Sequence, residues 1–135
     1  MSGWTYKGKF IVDVPYGSEG FVYLITYKDG ERYLGKKSFW SRRKLKVKGS
    51  LRKKLTVKES DWRDYRGSSK SGIEKAARGE VKDLEIIHFA DSKGGLMFLE
   101  VKEMILRDVL CDDSYLNANI LLRIYKCFKP MKMEF

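Results

Sequence analysis

The sequence predicts a small α/β domain of the α+β kind, in which helices flank a three-stranded antiparallel sheet. Residues 20–27 are apolar on both alternating faces, as in a central strand. The Asp29-Gly30 pair is a strong hairpin signal, and residues 31–35 return as the second strand. Residues 84–89, LEIIHF, have the composition of a third, buried strand.

Three segments have helical features. Residues 38–48 begin at Ser38, a suitable N-cap, and predict a basic helix. Residues 71–78 predict a short helix that Gly79 closes, and residues 94–110 carry the longest apolar stripe at helical spacing. The patterns also predict a peripheral strand at 8–14 and a closing element at 120–127, helix or strand, whereas residues 49–60 have no assignable pattern.

Length and composition predict one folded domain inside a cell. The chain has 135 residues with 43% hydrophobic residues and 13% aromatic residues. No apolar run approaches the roughly 18 residues of a membrane span, and the first residues, MSGWTYKGKF, lack the apolar segment of a secretory signal. The expected location is cytoplasmic, without membrane association. The two cysteines, Cys111 and Cys127, have no metal-ligand spacing and are expected to be reduced.

Positive charge is concentrated in one part of the chain. The formal net charge is +10, and ten lysines and arginines lie between Lys36 and Lys54 without one acidic residue. A concentrated basic patch on an otherwise neutral body is typical of proteins that bind polyanions. An ordinary soluble surface is the alternative, although such surfaces usually mix both signs.

Two tyrosines, Tyr23 and Tyr33, lie near the open end of the predicted hairpin and next to the basic run. Nearby positive charge is expected to lower the pKa of a phenol, which would then act as a general base. Tyr33 is the better candidate because it adjoins Lys36 and Lys37, and simple core packing is the alternative for either ring. His88, on an apolar strand without an evident partner in sequence, is expected to be structural.

In these residues the chain resembles the GIY-YIG nuclease family. The first signature element corresponds to Gly20-Phe21-Val22-Tyr23 and the second to Tyr33-Leu34-Gly35. Residues 61–69, DWRDYRGSS, also resemble a segment of bacteriophage-borne, homing-type members. The resemblance covers about residues 20–119 of a single domain, 1–135. The family's homing members usually carry a separate DNA-reading domain, for which 135 residues leave no room.

The resemblance implies a metal-dependent DNA endonuclease and a set of site residues. Arg43 matches the family's helical arginine, which would grip the scissile phosphate, and Lys36 matches a second phosphate contact. Glu100, with Glu103 as competitor, matches the carboxylate that would hold Mg²⁺ or Mn²⁺, and Asn117 matches a late asparagine that would support it. Tyr23 would assist Tyr33, although either tyrosine could be the base.

The other basic residues are expected to follow the backbone of double-stranded DNA, and the GSS turn is expected to offer an anion-binding nest. The residues of this predicted DNA contact are Lys37, Arg42, Lys44, Lys46, Lys48, Arg52, Lys53, Lys54, Ser68 and Ser69. Two alternatives remain at this point, a catalytically idle nuclease fold that regulates DNA or RNA, and an RNA-associated basic module. The oligomeric state, monomer or homodimer, stays open.

Overall fold

The computed structural model describes residues 3–46, 48–49 and 51–126. It is a mixed α/β structure with two helices and nine strands in the described ranges. The strands are β1 (Thr5–Tyr6), β2 (Lys9–Phe10), β3 (Gly20–Tyr27), β4 (Arg32–Ser38), β5 (Trp40–Lys46), β6 (Lys53–Glu59), β7 (Val81–Ala90), β8 (Asn119–Ile120) and β9 (Ile124–Tyr125). The helices are α1 (Lys70–Ala77) and α2 (Lys93–Leu106).

The main sheet has five strands in the order β2-β1-β7-β3-β4, so the predicted three-stranded sheet is too small. The predicted strands are confirmed as β3, β4 and β7, which pair antiparallel with β3 in the centre. The additional strands, β1 and β2, form an N-terminal hairpin, and β1 pairs parallel with β7. Each has only two residues, which is too short for an alternating pattern to appear in the sequence.

Both faces of β3 are buried, as its two-sided apolar pattern predicts. On one face, Val22 and Leu24 pack with Leu34 and with Leu96 and Met104 of α2. An aromatic cluster covers the other face, and its buried rings are Trp4, Phe21, Tyr23, Tyr27, Phe39 and Trp62. Adjacent residues of β3 and β4 therefore point into two different environments.

The predicted basic helix at 38–48 is wrong. Residues 40–46 form β5, which pairs antiparallel with β6 in a separate two-stranded hairpin, named here the basic ribbon. Ser38 caps no helix, because its Oγ donates to Glu19 Oε2 at 2.7 Å. Lysine and arginine fit helices and exposed strands alike, so the partner strand, β6, decides the structure.

The remaining predictions are confirmed with adjusted ends. Helix α1 is capped by Ser69, whose side chain accepts from Gly72 N, and Gly79 follows with a positive φ of 71°. Helix α2 ends at Leu106, whose side chain is exposed although it belongs to the predicted apolar stripe. The closing element is the short hairpin of β8 and β9, and Cys127 lies outside the described residues. The peripheral strand predicted at 8–14 is reduced to β2.

Candidate active site

The hairpin of β3 and β4 brings the two tyrosines together on the aromatic face of the sheet. Tyr23 pairs with Gly35 and Ile25 pairs with Tyr33, so both phenols point to the same side. Their ring centroids lie 6.3 Å apart. The predicted convergence of the two phenols on one face is therefore seen in the structure, but their predicted place at the open end is wrong, because Tyr33 lies one pair from the turn and Tyr23 lies in the middle of β3.

Because Gly35 has no side chain, the Tyr23 hydroxyl can lie directly against the backbone of the edge strand, β4. A Cβ atom at position 35 would lie 2.4 Å from Tyr23 Oη, closer than any real contact. The missing side chain is thus a requirement of packing rather than of backbone conformation, and it explains why a glycine follows Tyr33-Leu34 in this hairpin.

Tyr23 is almost completely buried among other aromatic rings. Its ring centroid lies 5.0 Å from that of Trp4 and 6.0 Å from that of Tyr65. Burial raises the pKa of Tyr23 well above its usual range, and the neighbouring Tyr65, Tyr33 and Glu100 act in the same direction. Tyr23 is therefore a neutral phenol near pH 7.

Tyr33 is half-buried, and its Oη lies 2.7 Å from Ser68 Oγ. Gly67, with a φ of 89°, lets the loop approach the Tyr33 ring closely. Burial raises the pKa of Tyr33, the bond with Ser68 opposes this shift, and the charge of Glu100 adds to it. The expected lowering of the pKa by neighbouring cations is therefore wrong, because burial, and not a neighbouring cation, sets the direction of the shift.

The two lysines beside Tyr33 explain this outcome, since they are engaged elsewhere. Lys37 Nζ forms an ion pair with Asp61 Oδ1 at 2.7 Å and lies 4.3 Å from the centroid of the Tyr65 ring. Lys36 points to the opposite face of β4, where its Nζ lies 3.7 Å from Glu100 Oε1. The lysines place positive charge on both sides of the edge strand without contacting the Tyr33 hydroxyl.

Glu100 projects from α2 toward this edge, and only 14% of its side chain is exposed. Burial raises the pKa of the Glu100 carboxyl, and the Lys36 ammonium opposes that shift. The charge of Glu100 makes a minor contribution to the raised pKa of both Tyr23 and Tyr33.

Glu103, one turn later on α2, has two close partners. Its Oε1 lies 2.7 Å from His88 Nε2, and its Oε2 accepts from Arg107 Nε at 3.1 Å. Burial acts to raise the pKa of Glu103, but these bonds prevail and lower it. The sequence did not show this partner of His88. A carboxylate with two partners has less capacity for a metal than Glu100, whose nearest cation lies beyond normal hydrogen-bond distance.

The site offers a divalent cation one suitable carboxylate. Among residues 3–46, 48–49 and 51–126, no three His, Cys, Asp or Glu side chains are grouped as metal ligands. Mg²⁺ retains several waters and needs only one or two protein carboxylates when phosphate oxygens are present. The buried and loosely paired Glu100 fits this requirement.

Asn117 is buried, and its side chain forms hydrogen bonds with the backbone of β4. Its Oδ1 accepts from Leu34 N at 3.0 Å, and its Nδ2 donates to Leu34 O at 2.7 Å. The side chain thus holds the strand between Tyr33 and Gly35. Its predicted support of a metal stays a prediction, and any such effect would act through the position of β4.

Arg43 does not lie on a helix beside the hairpin, as the resemblance implied. It is exposed on β5. Together with Lys37 and Asp61 it lines a cleft at the end of the basic ribbon where β5 begins and β6 ends, named here the root of the ribbon. Its predicted role as a phosphate ligand is untested.

The other predicted DNA contacts fall into three groups. Arg42 forms an ion pair with Glu19, while Ser68 and Ser69 are engaged with Tyr33 and with the start of α1. Lys37 belongs to the site itself. The exposed positions on the ribbon and its tip are Lys44, Lys46, Lys48, Arg52, Lys53 and Lys54.

Sequence reasoning missed two contributors, Tyr65 and Asp61. The spacing of Trp62 and Tyr65 indicated an aromatic anchor, but not that Tyr65 would lie between Tyr23 and Lys37. Asp61 sits beside Trp62 in a loop, and only the tertiary structure brings it to Lys37.

Comparison with known families agrees with this arrangement. Residues 4–120 match the family model described as "Putative endonuclease segE, GIY-YIG domain". The chain belongs to the GIY-YIG family. The matched range of this GIY-YIG domain begins within the N-terminal segment before β1 and ends at β8, so it includes the basic ribbon. No curated protein and no solved structure gave a match.

The GIY-YIG membership accounts for the hairpin, with Gly20 and Gly35 as its two close-packing glycines. A Cβ at Gly20 would lie 2.4 Å from Lys37 O and 2.7 Å from Leu96 Cδ2. In the described part of the chain, no helix is both long and apolar enough to cross a bilayer.

Proposed function

We propose that the chain is a divalent-metal-dependent endonuclease that hydrolyses phosphodiester bonds of double-stranded DNA. The observation that carries this proposal is the pair of phenols, Tyr23 and Tyr33, on one face of the hairpin, with the buried Glu100 paired to Lys36 on the other face of β4. The family match supports a nuclease. The likeness of residues 61–69 to phage-borne, homing-type members leads us to propose that origin as well.

Glu100 is the residue that would hold Mg²⁺ or Mn²⁺. When bound, such an ion supplies positive charge for the leaving oxygen and makes a coordinated water more acidic. Without a cation, the buried Glu100 carboxyl has a raised pKa, and its ion-pair partner among the described residues is Lys36, at 3.7 Å. The chain therefore keeps a carboxylate that is poorly satisfied by its own side chains.

Tyr33 would position the attacking water through its hydroxyl, which already exchanges a hydrogen bond with Ser68. For Tyr33 to act as general base, the positive charge of a bound divalent cation would have to offset the burial that raises its pKa. Tyr23 packs against Tyr33 and fixes its ring. Lys36 and Lys37 would contact phosphate oxygens from the two faces of β4.

Cleavage of supercoiled plasmid in Mg²⁺ or Mn²⁺ tests the proposal. Glu100→Gln is expected to lower the rate by about 10²-fold or more, since it removes the metal ligand with little change in shape. Tyr33→Phe is expected to lower it by a similar factor, because the water loses its hydrogen-bond partner.

Glu103→Gln is the matched control, a carboxylate on the same helix whose partners are His88 and Arg107. It is expected to retain cleavage within several-fold. If wild type and Glu100→Gln give the same absence of cleavage on supercoiled, linear and mismatched DNA, the nuclease proposal is contradicted.

One observation favours a second candidate, a DNA-binding regulator without cleavage. Arg43 lies on the ribbon rather than on a helix beside the tyrosines, and both phenols have raised pKa values. Such a regulator would bind DNA in a salt-sensitive manner and leave plasmid intact in either metal.

A further inference from the structure

The basic ribbon has the dimensions of a groove-binding element. Each of its strands, β5 and β6, has seven residues, which at about 3.3 Å per residue gives a length of about 23 Å. Its two strands pair only with one another and not with the main sheet. The major groove of B-form DNA, about 12 Å wide, admits such a two-stranded ribbon, whereas the minor groove, about 6 Å wide, takes strands only when the duplex is deformed.

The composition of the ribbon matches DNA as its partner. The two strands contain seven cations and one acid. That acid, Glu59, lies at the root, where its carboxylate accepts from Trp62 Nε1 at 2.7 Å and pairs with Arg63. Beyond the root, the strands therefore present positive charge alone to solvent.

The ribbon also exposes apolar side chains that water does not favour. Leu45 lies on one face of the ribbon, Leu55 and Val57 lie on the other, and each is about half exposed. An isolated two-stranded hairpin is at best marginally stable in water, so a partner that covers part of this surface would stabilise it. Thymine methyl groups in the major groove provide an apolar contact that suits Leu45.

The attachment of the ribbon distinguishes its two faces. On one face, the back face, Trp40 Nε1 donates to Ser18 O at 3.0 Å and Arg42 pairs with both carboxylate oxygens of Glu19 at 2.7 and 3.1 Å. The other face, called the front face, carries three cross-strand pairs. These pairs are Ser41 with Lys58, Arg43 with Thr56, and Leu45 with Lys54. The root of the front face opens on the cleft with Lys37 and Asp61, which leads to Tyr65 and Tyr23.

Building on the proposed nuclease function, we propose that the basic ribbon inserts into the DNA major groove and gives this domain a sequence preference of its own. Leu45, Lys54 and Thr56 of the front face contact base edges, and Arg43, the cross-strand partner of Thr56, lines the cleft. Back-face lysines such as Lys44 contact phosphates, which carry no sequence information. A-form RNA is excluded as the preferred partner, because its deep, narrow major groove cannot be read by side chains.

Selection of bound duplexes from a randomised DNA library tests the ribbon separately from cleavage. All proteins carry Glu100→Gln, so that binding is measured without cutting. The parent is expected to enrich a motif, and Lys54→Ala or Thr56→Ala is expected to relax one or two positions of it. Failure of the nuclease proposal would appear only in the plasmid assay, and failure of the ribbon proposal only here.

Lys44→Ala is the matched control, because Lys44 and Lys54 lie at neighbouring cross-strand positions on opposite faces. Both changes remove one charge, so each is expected to reduce the slope of log affinity against log salt by about one. Only Lys54→Ala is expected to alter the motif. Enrichment of no motif, or of one that Lys54→Ala and Thr56→Ala leave unchanged, overturns the proposal.

Modified duplexes of the selected sequence identify the groove. Replacing purines by 7-deazapurines removes acceptors from the major groove only, and it is expected to weaken binding by about tenfold or more. A minor-groove ligand is expected to leave binding intact. The proposal is also overturned if the minor-groove ligand displaces the protein and 7-deazapurines leave binding unchanged. Tighter binding to an RNA duplex of the same sequence overturns it too.

Discussion

The Glu100 carboxyl and the Tyr33 hydroxyl are both held in environments that favour their uncharged forms. Burial is the main cause in each case, and the charge of Glu100 adds to the shift at Tyr33. Opposite positive charge would stabilise both anions at once. The residues of the site are therefore arranged for a charge that the folded chain alone does not supply.

A consequence for stability follows at Glu100. Because the folded pKa of its carboxyl is raised above 4.5, folding favours the protonated form, and this contribution to the free energy of unfolding is lost as pH rises through the folded pKa. Glu100→Gln is thus expected to be more stable than wild type at pH 7. Thermal unfolding in metal-free buffer measures the difference.

The difference between the two proteins should vanish toward pH 4, where the wild-type carboxyl is protonated as well. The control is again Glu103→Gln, which should lower stability at pH 7, since the pKa of Glu103 is lowered overall by His88 and Arg107 against the effect of burial. Equal stabilities of Glu100→Gln and wild type at both pH values would contradict the burial argument.

Strand β4 is the edge of the main sheet, and a loop covers part of it. Arg32 N donates to Ser114 O at 2.8 Å, Leu116 N donates to Arg32 O at 2.7 Å, and Asn117 bonds both backbone groups of Leu34. The asparagine side chain thereby takes the place of a neighbouring strand. This loop fixes the element that carries Tyr33 and Gly35.

Asn117→Ala is expected to lower the free energy of unfolding by about 2–4 kcal/mol, because two buried backbone groups of Leu34 lose their partners. Chemical denaturation measures the loss. Asn119→Ala, two residues away, removes only an exposed bond to Leu122 N and should cost less than about 1 kcal/mol. Equal losses for the two variants would show that Asn117 is not the clamp of β4.

At the scale of the whole molecule, the N-terminal segment is part of the core. Trp4 is 1% exposed, packs on Phe21 and Tyr23, and donates from Nε1 to Trp62 O at 2.8 Å. The family match also begins at residue 4, well before the predicted core at about residue 20. The segment therefore supports the aromatic face that holds the tyrosines.

Trp4→Ala is expected to destabilise the protein by about 3–5 kcal/mol, the range for loss of a large buried ring. Phe10→Ala, in the same hairpin but 63% exposed, should change stability by about 0.5 kcal/mol or less. Denaturant titration measures both variants. Equal unfolding midpoints would contradict the assignment of Trp4 to the core.

The sequence was sufficient wherever one residue pattern determined the outcome. The Asp29-Gly30 turn, the two-sided apolar strand β3 and the stripe of α2 identified the central part of the fold, and the spacing of Tyr23 and Tyr33 placed them in one hairpin. Whether Lys44 to Lys46 form helix or strand depends on the partner strand, which lies outside the local sequence.

The electrostatics of the site were less predictable than its members. The direction of the pKa shift of Tyr33 depends on how deeply Ser68 and Gly67 cover it and on where Lys36 and Lys37 point, which are properties of the tertiary structure. The choice between Glu100 and Glu103 likewise needed the positions of His88 and Arg107, which the sequence places far from each other.

The separation of the basic ribbon from the main sheet has an evolutionary consequence. Its outer residues are exposed, and substitutions at such positions usually change stability by about 0.5 kcal/mol or less. The hairpin with its two tyrosines, in contrast, tolerates little change around Gly20 and Gly35. Under the two proposals, target preference would diverge rapidly between related chains while the hairpin is inherited unchanged, and exchange of a few ribbon side chains would redirect cleavage.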